Sequence, residues 1–154
     1  MPKTPKRAGR SPHPEGRFPS QVVAANIRSL RALRGLTQES LAEKMQHLRH
    51  GWSRATVSEV ERGDRNVTVD ELASLAIVLN VGPGELLDPE RQGVHLDLGM
   101  TGPVRRNLAS AWARGLLRIT IEGDKYVFER TLDHLSETER GFEWLRMMAR
   151  EQES

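Results

Sequence analysis

Between positions 21 and 88 the apolar residues recur every third or fourth position, the spacing that gathers them on one face of a helix. Val23, Ile27 and Leu30 make the first such stripe, with Arg28, Arg31 and Arg34 elsewhere and Gly35 as the stop. Thr37 caps a second helix, and its stripe Leu41, Met45, Leu48 predicts a helix lasting to about His50, where Gly51 breaks it. Ser53 caps a short third helix, Arg54 to Arg62, with Val57 and Val60 inward and Gly63 at its end. Thr68 and Glu71 form a capping box ahead of a fourth helix carrying Leu72, Leu75, Ala76 and Leu79, which Asn80 and Gly82 end. Pro83 opens a fifth that buries Leu86 and Leu87, and Pro89 closes the unit. Five short helices over residues 21–88 can share one small core.

Past Pro89 the period lapses, and residues 89–102, with Gly93 and Gly99, read as a linker. Pro103 can start another helix, along which Val104, Leu108 and Trp112 align until Gly115. Then the pattern changes to alternation: LRITIE and KYVFER flank Gly123 and Asp124, and a Gly-first two-residue loop suits a type II′ turn. In that register Ile121 faces Tyr126 and Ile119 faces Phe128, while Glu122 meets Lys125 and Arg118 meets Glu129 on the other side. Ser136 and Glu139 supply a further capping box, from which a final helix runs to about Arg150 with Phe142, Leu145 and Met148 on one stripe. The expected fold is therefore mainly α: a five-helix domain followed by a small α+β region of helix, β-hairpin and helix over residues 103–151. A lone hairpin is marginal in water. Its aromatic face must be buried either within the chain or against a second copy, so a homodimer through residues 103–151 is an expected partner arrangement.

Charge changes this picture in one way. The formal net charge of +2 divides into +7 over residues 1–66 and −5 over the remainder. A basic front half suits a polyanion touched from one side, or equally a basic tail on a neutral domain. Residues 1–20 hold five of the eight prolines and almost no large apolar side chain, so they read as a disordered basic arm. Lys3, Lys6, Arg7, Arg10 and Arg17 can trail along a DNA backbone from there, or serve only solubility. There is no cysteine, which excludes disulfides, thiolate zinc sites and a cysteine nucleophile. No apolar run approaches the roughly 18 residues of a membrane helix, so a cytoplasmic protein without membrane contact is expected. His47 and His50 stand three apart with no third ligand near them, and neither metal nor cofactor is expected. No nucleophile-and-base arrangement or phosphate loop suggests an enzyme, and Lys125, the one lysine after Lys44, sits beside a hairpin turn where it does not suit a self-cleaving serine–lysine pair.

The segments LRALRGLTQESLAEKM, WSRATVSEVERGDR and TVDELASLAIVLNVGPGELL, together spanning Val22 to Leu87, resemble the Cro/repressor class of helix-turn-helix domains, the XRE family. The resemblance implies a transcriptional regulator that binds a double-stranded DNA operator by laying the helix Arg54 to Arg62 in the major groove. By position it implies base reading by Arg54, Ala55, Ser58 and Glu59, and phosphate contacts from Gln38, Ser53, Thr56, Arg62 and Arg65. Val57, Val60 and Glu61 match positions the family uses for packing and helix support. A repressor is the expected role, prophage immunity its favoured setting. An antitoxin of the same domain class, whose C-terminal hairpin and helix hold a toxin, is the alternative. One departure stands out: Gln46 to His50 intervene before the turn glycine, and Trp52 stands where the family prefers Val or Ile.

Overall fold

The computed structural model describes residues 13–99, 102–123 and 125–130. Lys3, Lys6, Arg7, Arg10 and the final helix from Ser136 lie outside these residues.

Five helices form the first layer: α1 (Pro19–Leu33), α2 (Gln38–His47), α3 (Arg54–Arg62), α4 (Val69–Leu79) and α5 (Pro83–Leu87). The caps that delimit them are those the sequence carries. The Thr37, Ser53 and Thr68 hydroxyls each accept the amide three residues on, and Gly35 and Gly63 turn the chain away at φ 66° and 77°. Their stripes meet in one core made of Val23, Ile27, Leu30, Leu41, Ala42, Met45, Trp52, Val57, Val60, Leu75, Ala76, Leu79 and Leu86.

The second helix is shorter than its stripe suggests. It ends at His47, and Leu48 is left 39% exposed because the helix has already closed. Closure is a complete Schellman motif: the Arg49 amide donates to the Gln46 carbonyl (2.8 Å) and the His50 amide to that of Met45 (3.1 Å). Arg49, not Gly51, takes the left-handed conformation, at φ 65°. Of the five residues 46–50, two therefore lengthen α2 and three build the corner.

Residues 13–20 and 89–102 depart from expectation. The disordered arm is expected to reach Ser20, yet Gly16–Arg17 is a short strand, β1, and Pro19 already opens α1. The stretch expected to be a linker holds a 3-10 turn, Pro89–Gln92, and a strand, β2 (His95–Leu96). The strands β1 and β2 run parallel, and Leu96 exchanges both backbone hydrogen bonds with Val104 (2.9 and 2.7 Å). Because Val104 is spent on that bridge, the next helix, α6, starts at Arg106 instead of Pro103 and runs to Ala113. Two-residue strands whose partners lie about 80 residues apart leave no period in the sequence to read.

Behind α6 comes the hairpin, β3 (Leu117–Glu122) and β4 (Lys125–Arg130), in the expected register: Ile119 opposite Phe128, Ile121 opposite Tyr126, Arg118 opposite Glu129 and Glu122 opposite Lys125. Gly123 supplies the positive φ of 63° at the turn. Ile119, Tyr126 and Phe128 pack onto a second cluster, Val22, Leu96, Val104 and Ala109. The aromatic face is thus partly covered within the chain: Tyr126 and Phe128 are half-buried, while Ile121 on the same face stays exposed.

Candidate nucleic-acid interface

The residues expected to meet DNA gather where the amino-terminal turns of α2 and α3 come together. Ser53 and Thr56 close a reciprocal cap at the start of α3: each side-chain oxygen accepts the other residue's amide at 3.2 Å. A β-hydroxyl at the third position replaces the usual acid, so α3 begins without negative charge in its first turn. Arg54, Ala55 and Glu59 are exposed on the outer face, whereas Ser58 is half-buried. Val57 and Val60 on the opposite face are fully buried.

Behind that face lies a charged brace. Glu61, its side chain only 4% exposed, accepts Arg31 Nε at 2.5 Å and Nη2 at 3.1 Å, and also the Gln38 amide at 3.0 Å. Arg31 Nη1 donates in addition to the Leu36 carbonyl at 2.7 Å. The hydrogen bond to Glu61 holds the Arg31 guanidinium above its ordinary pKa against the opposing effect of burial. One carboxylate therefore ties α1, the start of α2 and the end of α3 together, and it fixes Gln38 at its place. Glu61 has the support role expected of it; Arg31 was legible only as an off-stripe arginine.

A second brace holds the enlarged corner. The buried Trp52 indole donates to Glu71 Oε1 at 2.7 Å, and Arg65 Nη2 reaches the same oxygen at 2.6 Å. Arg65 also lies 5.5 Å from the centre of the Trp52 ring. Gln46 Nε2 donates to the Trp52 carbonyl at 2.6 Å, and His50 Nε2 lies 2.8 Å from Ser74 Oγ. The sequence marked Glu71 as half of a capping box, which it is, with its carboxylate on the Thr68 amide at 2.9 Å. Nothing local signals its second role under Trp52.

The structure brings together Gln38, Ser53, Arg54, Ala55 and Thr56 at the two helix starts, with Ser58 and Glu59 a turn further along α3 and Arg62 at its end. It engages some of them otherwise. Arg62 Nη1 donates to Ser58 Oγ at 2.7 Å and Arg62 Nε to Asp64 at 2.8 Å, both on the surface. Arg65 pairs with Glu71 and lies against Trp52, with its side chain 34% exposed. Exposed Arg17 lies on β1, beside the second cluster. His47 and His50 face different partners, Glu43 O and Ser74 Oγ, and among the described residues no group of three His, Asp or Glu could hold a metal. Among the same residues no helix is long and apolar enough to cross a membrane.

A short capped helix, braced from behind across a second helix and exposed along its amino-terminal face, is what a major groove admits. This defines the class: a helix-turn-helix DNA-binding domain. A model of the helix-turn-helix family matches residues 27–86. The chain is 39% identical over 79 residues to the control protein C.SmaI of Serratia marcescens, an alignment covering 51% of this chain and 86% of that protein. It is 41% identical over 69 residues to the HTH-type transcriptional regulator y4dJ of Sinorhizobium fredii, covering 45% and 83%. Among solved structures, the restriction-modification controller protein C.AhdI from Aeromonas hydrophila is 37% identical over 44% of this chain and 94% of its own, with a TM-score of 0.38. The chain belongs to the helix-turn-helix family of XRE type; it is a DNA-binding transcriptional regulator, not an enzyme.

Proposed function

We propose that the chain is a sequence-specific repressor that binds operator half-sites by placing the exposed face of α3 in the major groove. The observation that carries this reading is the contrast along α3: Val57 and Val60 are fully buried, while Arg54, Ala55 and Glu59 are open to solvent. Arg54 suits guanine O6 and N7, Ala55 a thymine methyl and Glu59 a cytosine amine, with Ser58 one turn on from Arg54. Gln38, held by Glu61, and the Ser53 and Thr56 hydroxyls stand at helix starts whose amides and dipoles favour phosphate. Arg62 adds charge at the far end of α3. Lys3, Lys6, Arg7 and Arg10 supply backbone contacts from the arm.

The repressor acts as a homodimer through residues 103–151, and the support for this is the apolar surface left over once the hairpin has packed: Leu116 is 49% and Ile121 63% exposed. Prophage immunity is the setting we favour for it, on the family resemblance of residues 22–87. The test is selection of bound duplexes from a random pool by the full chain, followed by affinity measurement on the winning site. Arg54→Ala is expected to cost about 1 to 3 kcal/mol on that site. Unchanged affinity would show that α3 is not the reading helix, and a monomer on DNA by mass would refute the dimer.

A further inference from the structure

We propose that Glu39 is a specificity-determining residue, which orients Arg54 for its base contact. This rests on the reading of α3 as the base-contacting helix. Glu39 is the second residue of α2 and Arg54 the first of α3, so the two lie across the corner at the exposed edge of the interface. Their charged groups approach to 3.3 Å, between Arg54 Nε and Glu39 Oε1, with the side chains 68% and 59% exposed. Among the described residues Glu39 is Arg54's one ionic partner.

The atoms involved matter. A guanidinium offers five donors in a planar fork. Nε is the guanidinium nitrogen that comes nearest the carboxylate, which leaves the two terminal nitrogens as a pair to match the O6 and N7 acceptors of a guanine. A long side chain free in solvent loses rotamer entropy when it docks, and a partner that restricts it beforehand lowers that cost. Glu39 also sits next to Gln38, where the interface places a phosphate, so its charge opposes DNA binding in general. A carboxylate at that place is unfavourable for affinity and favourable for selectivity. The competing role is a helix-dipole one, because an acid in the first turn stabilises α2 by itself.

The two roles separate in one experiment on the full chain. Wild type, Glu39→Ala, Arg54→Ala and the double variant are titrated against the duplex selected by wild type and against duplexes carrying each other base at every half-site position. The position at which Arg54→Ala abolishes discrimination is the one Arg54 reads. There Glu39→Ala is expected to lower the preference for guanine by about two- to fivefold, the range an exposed ion pair spans. Added to Arg54→Ala it should change the preference no further, and Glu39→Gln, which keeps an acceptor, should fall between. If Glu39→Ala weakens all duplexes equally with the preference intact, the helix-dipole role is correct and the proposal falls. If Arg54→Ala alone abolishes discrimination and Glu39→Ala leaves it untouched, the proposal falls while the reading of α3 stands. If Arg54→Ala leaves every base preference in place, the reading fails and the proposal with it.

Discussion

Glu71 is the residue on which the corner before α3 depends, and its titration gives a way to weigh that dependence. Its carboxylate is 6% exposed and receives the Trp52 indole (2.7 Å), both terminal nitrogens of Arg65 (2.6 and 3.3 Å) and the Thr68 amide (2.9 Å). Burial alone would push the carboxyl up; the hydrogen bonds from Arg65, Thr68 and Trp52 outweigh it and hold the pKa at about 2, from an ordinary 4.5. A difference of this size corresponds to about 3 kcal/mol. Because the folded protein binds the proton more weakly than the unfolded chain does, acid favours unfolding. The contribution is complete above pH 4.5 and disappears as the pH falls through about 2. Glu71→Gln keeps the shape but turns an amide N–H₂ toward groups that are themselves donors. In urea unfolding followed by far-UV circular dichroism, the variant is expected to lie about 2 to 3 kcal/mol below wild type at neutral pH, with the gap closing as the pH approaches 2. A gap under about 1 kcal/mol at neutral pH, or one that does not change with pH, would refute the reasoning.

Two further substitutions test the packing. A Cβ at Gly84 would fall 2.2 Å from the Ala113 carbonyl oxygen, a backbone atom that cannot give way, so Gly84→Ala should force α5 from α6 and cost about 1 to 3 kcal/mol in the same urea assay. Unchanged stability would mean that the two helices are not in contact there. Arg49 holds φ 65° without being glycine, a conformation that costs roughly 1 to 2 kcal/mol. Part of this is regained in Arg49→Gly, after the extra freedom of the unfolded chain is deducted, so thermal melting should show a gain of about 1 kcal/mol. A lower melting temperature would show that the Arg49 side chain makes a contact worth more than the strain.

What the sequence reveals of this fold follows from the range of the interactions involved. The helices were legible because they are framed by residues that act within four positions of themselves: Thr37, Ser53, Thr68 with Glu71, Gly35 and Gly63. The hairpin was legible because both of its faces agree on one register. The α2 end was misjudged because Leu48 continues the stripe; a hydrophobic period cannot show that Arg49 will take the left-handed turn. The site divides in the same way. That Val57 and Val60 point inward and Arg54 outward follows from period alone, whereas the engagement of Arg65 by Trp52 and Glu71 depends on where α4 lies in space. Trp52 itself was visible as an exception to the family pattern. Its cause, a lengthened corner that needs a large side chain with a donor over Glu71, required the fold.

The boundary drawn at residue 88 shows the same limit at the level of domains. Asn26 is fully buried on α1, and its Nδ2 donates to the carbonyls of Leu86 (3.1 Å) and Asp88 (2.9 Å), while Gln92 donates back to its Oδ1 (3.0 Å). Asp88, 4% exposed, turns its carboxylate the other way, to Ser110 Oγ (3.0 Å) and to Arg114 (2.9 Å). Immediately beside Asn26's turn, Val22 belongs to the C-terminal cluster and Val23 to the helix-turn-helix core. One helix thus serves two cores through neighbouring residues, and the supposed linker is the seam between them. At its other end the same helix carries Arg31, which fixes Glu61 behind α3. Cutting the chain after Asp88 would therefore leave Asp88 without its α6 partners and uncover Val22 one turn from Asn26, because the helix-turn-helix layer and the hairpin layer are joined both through α1, 15 residues and about 22 Å long, and through the contact of α5 and Asp88 with α6.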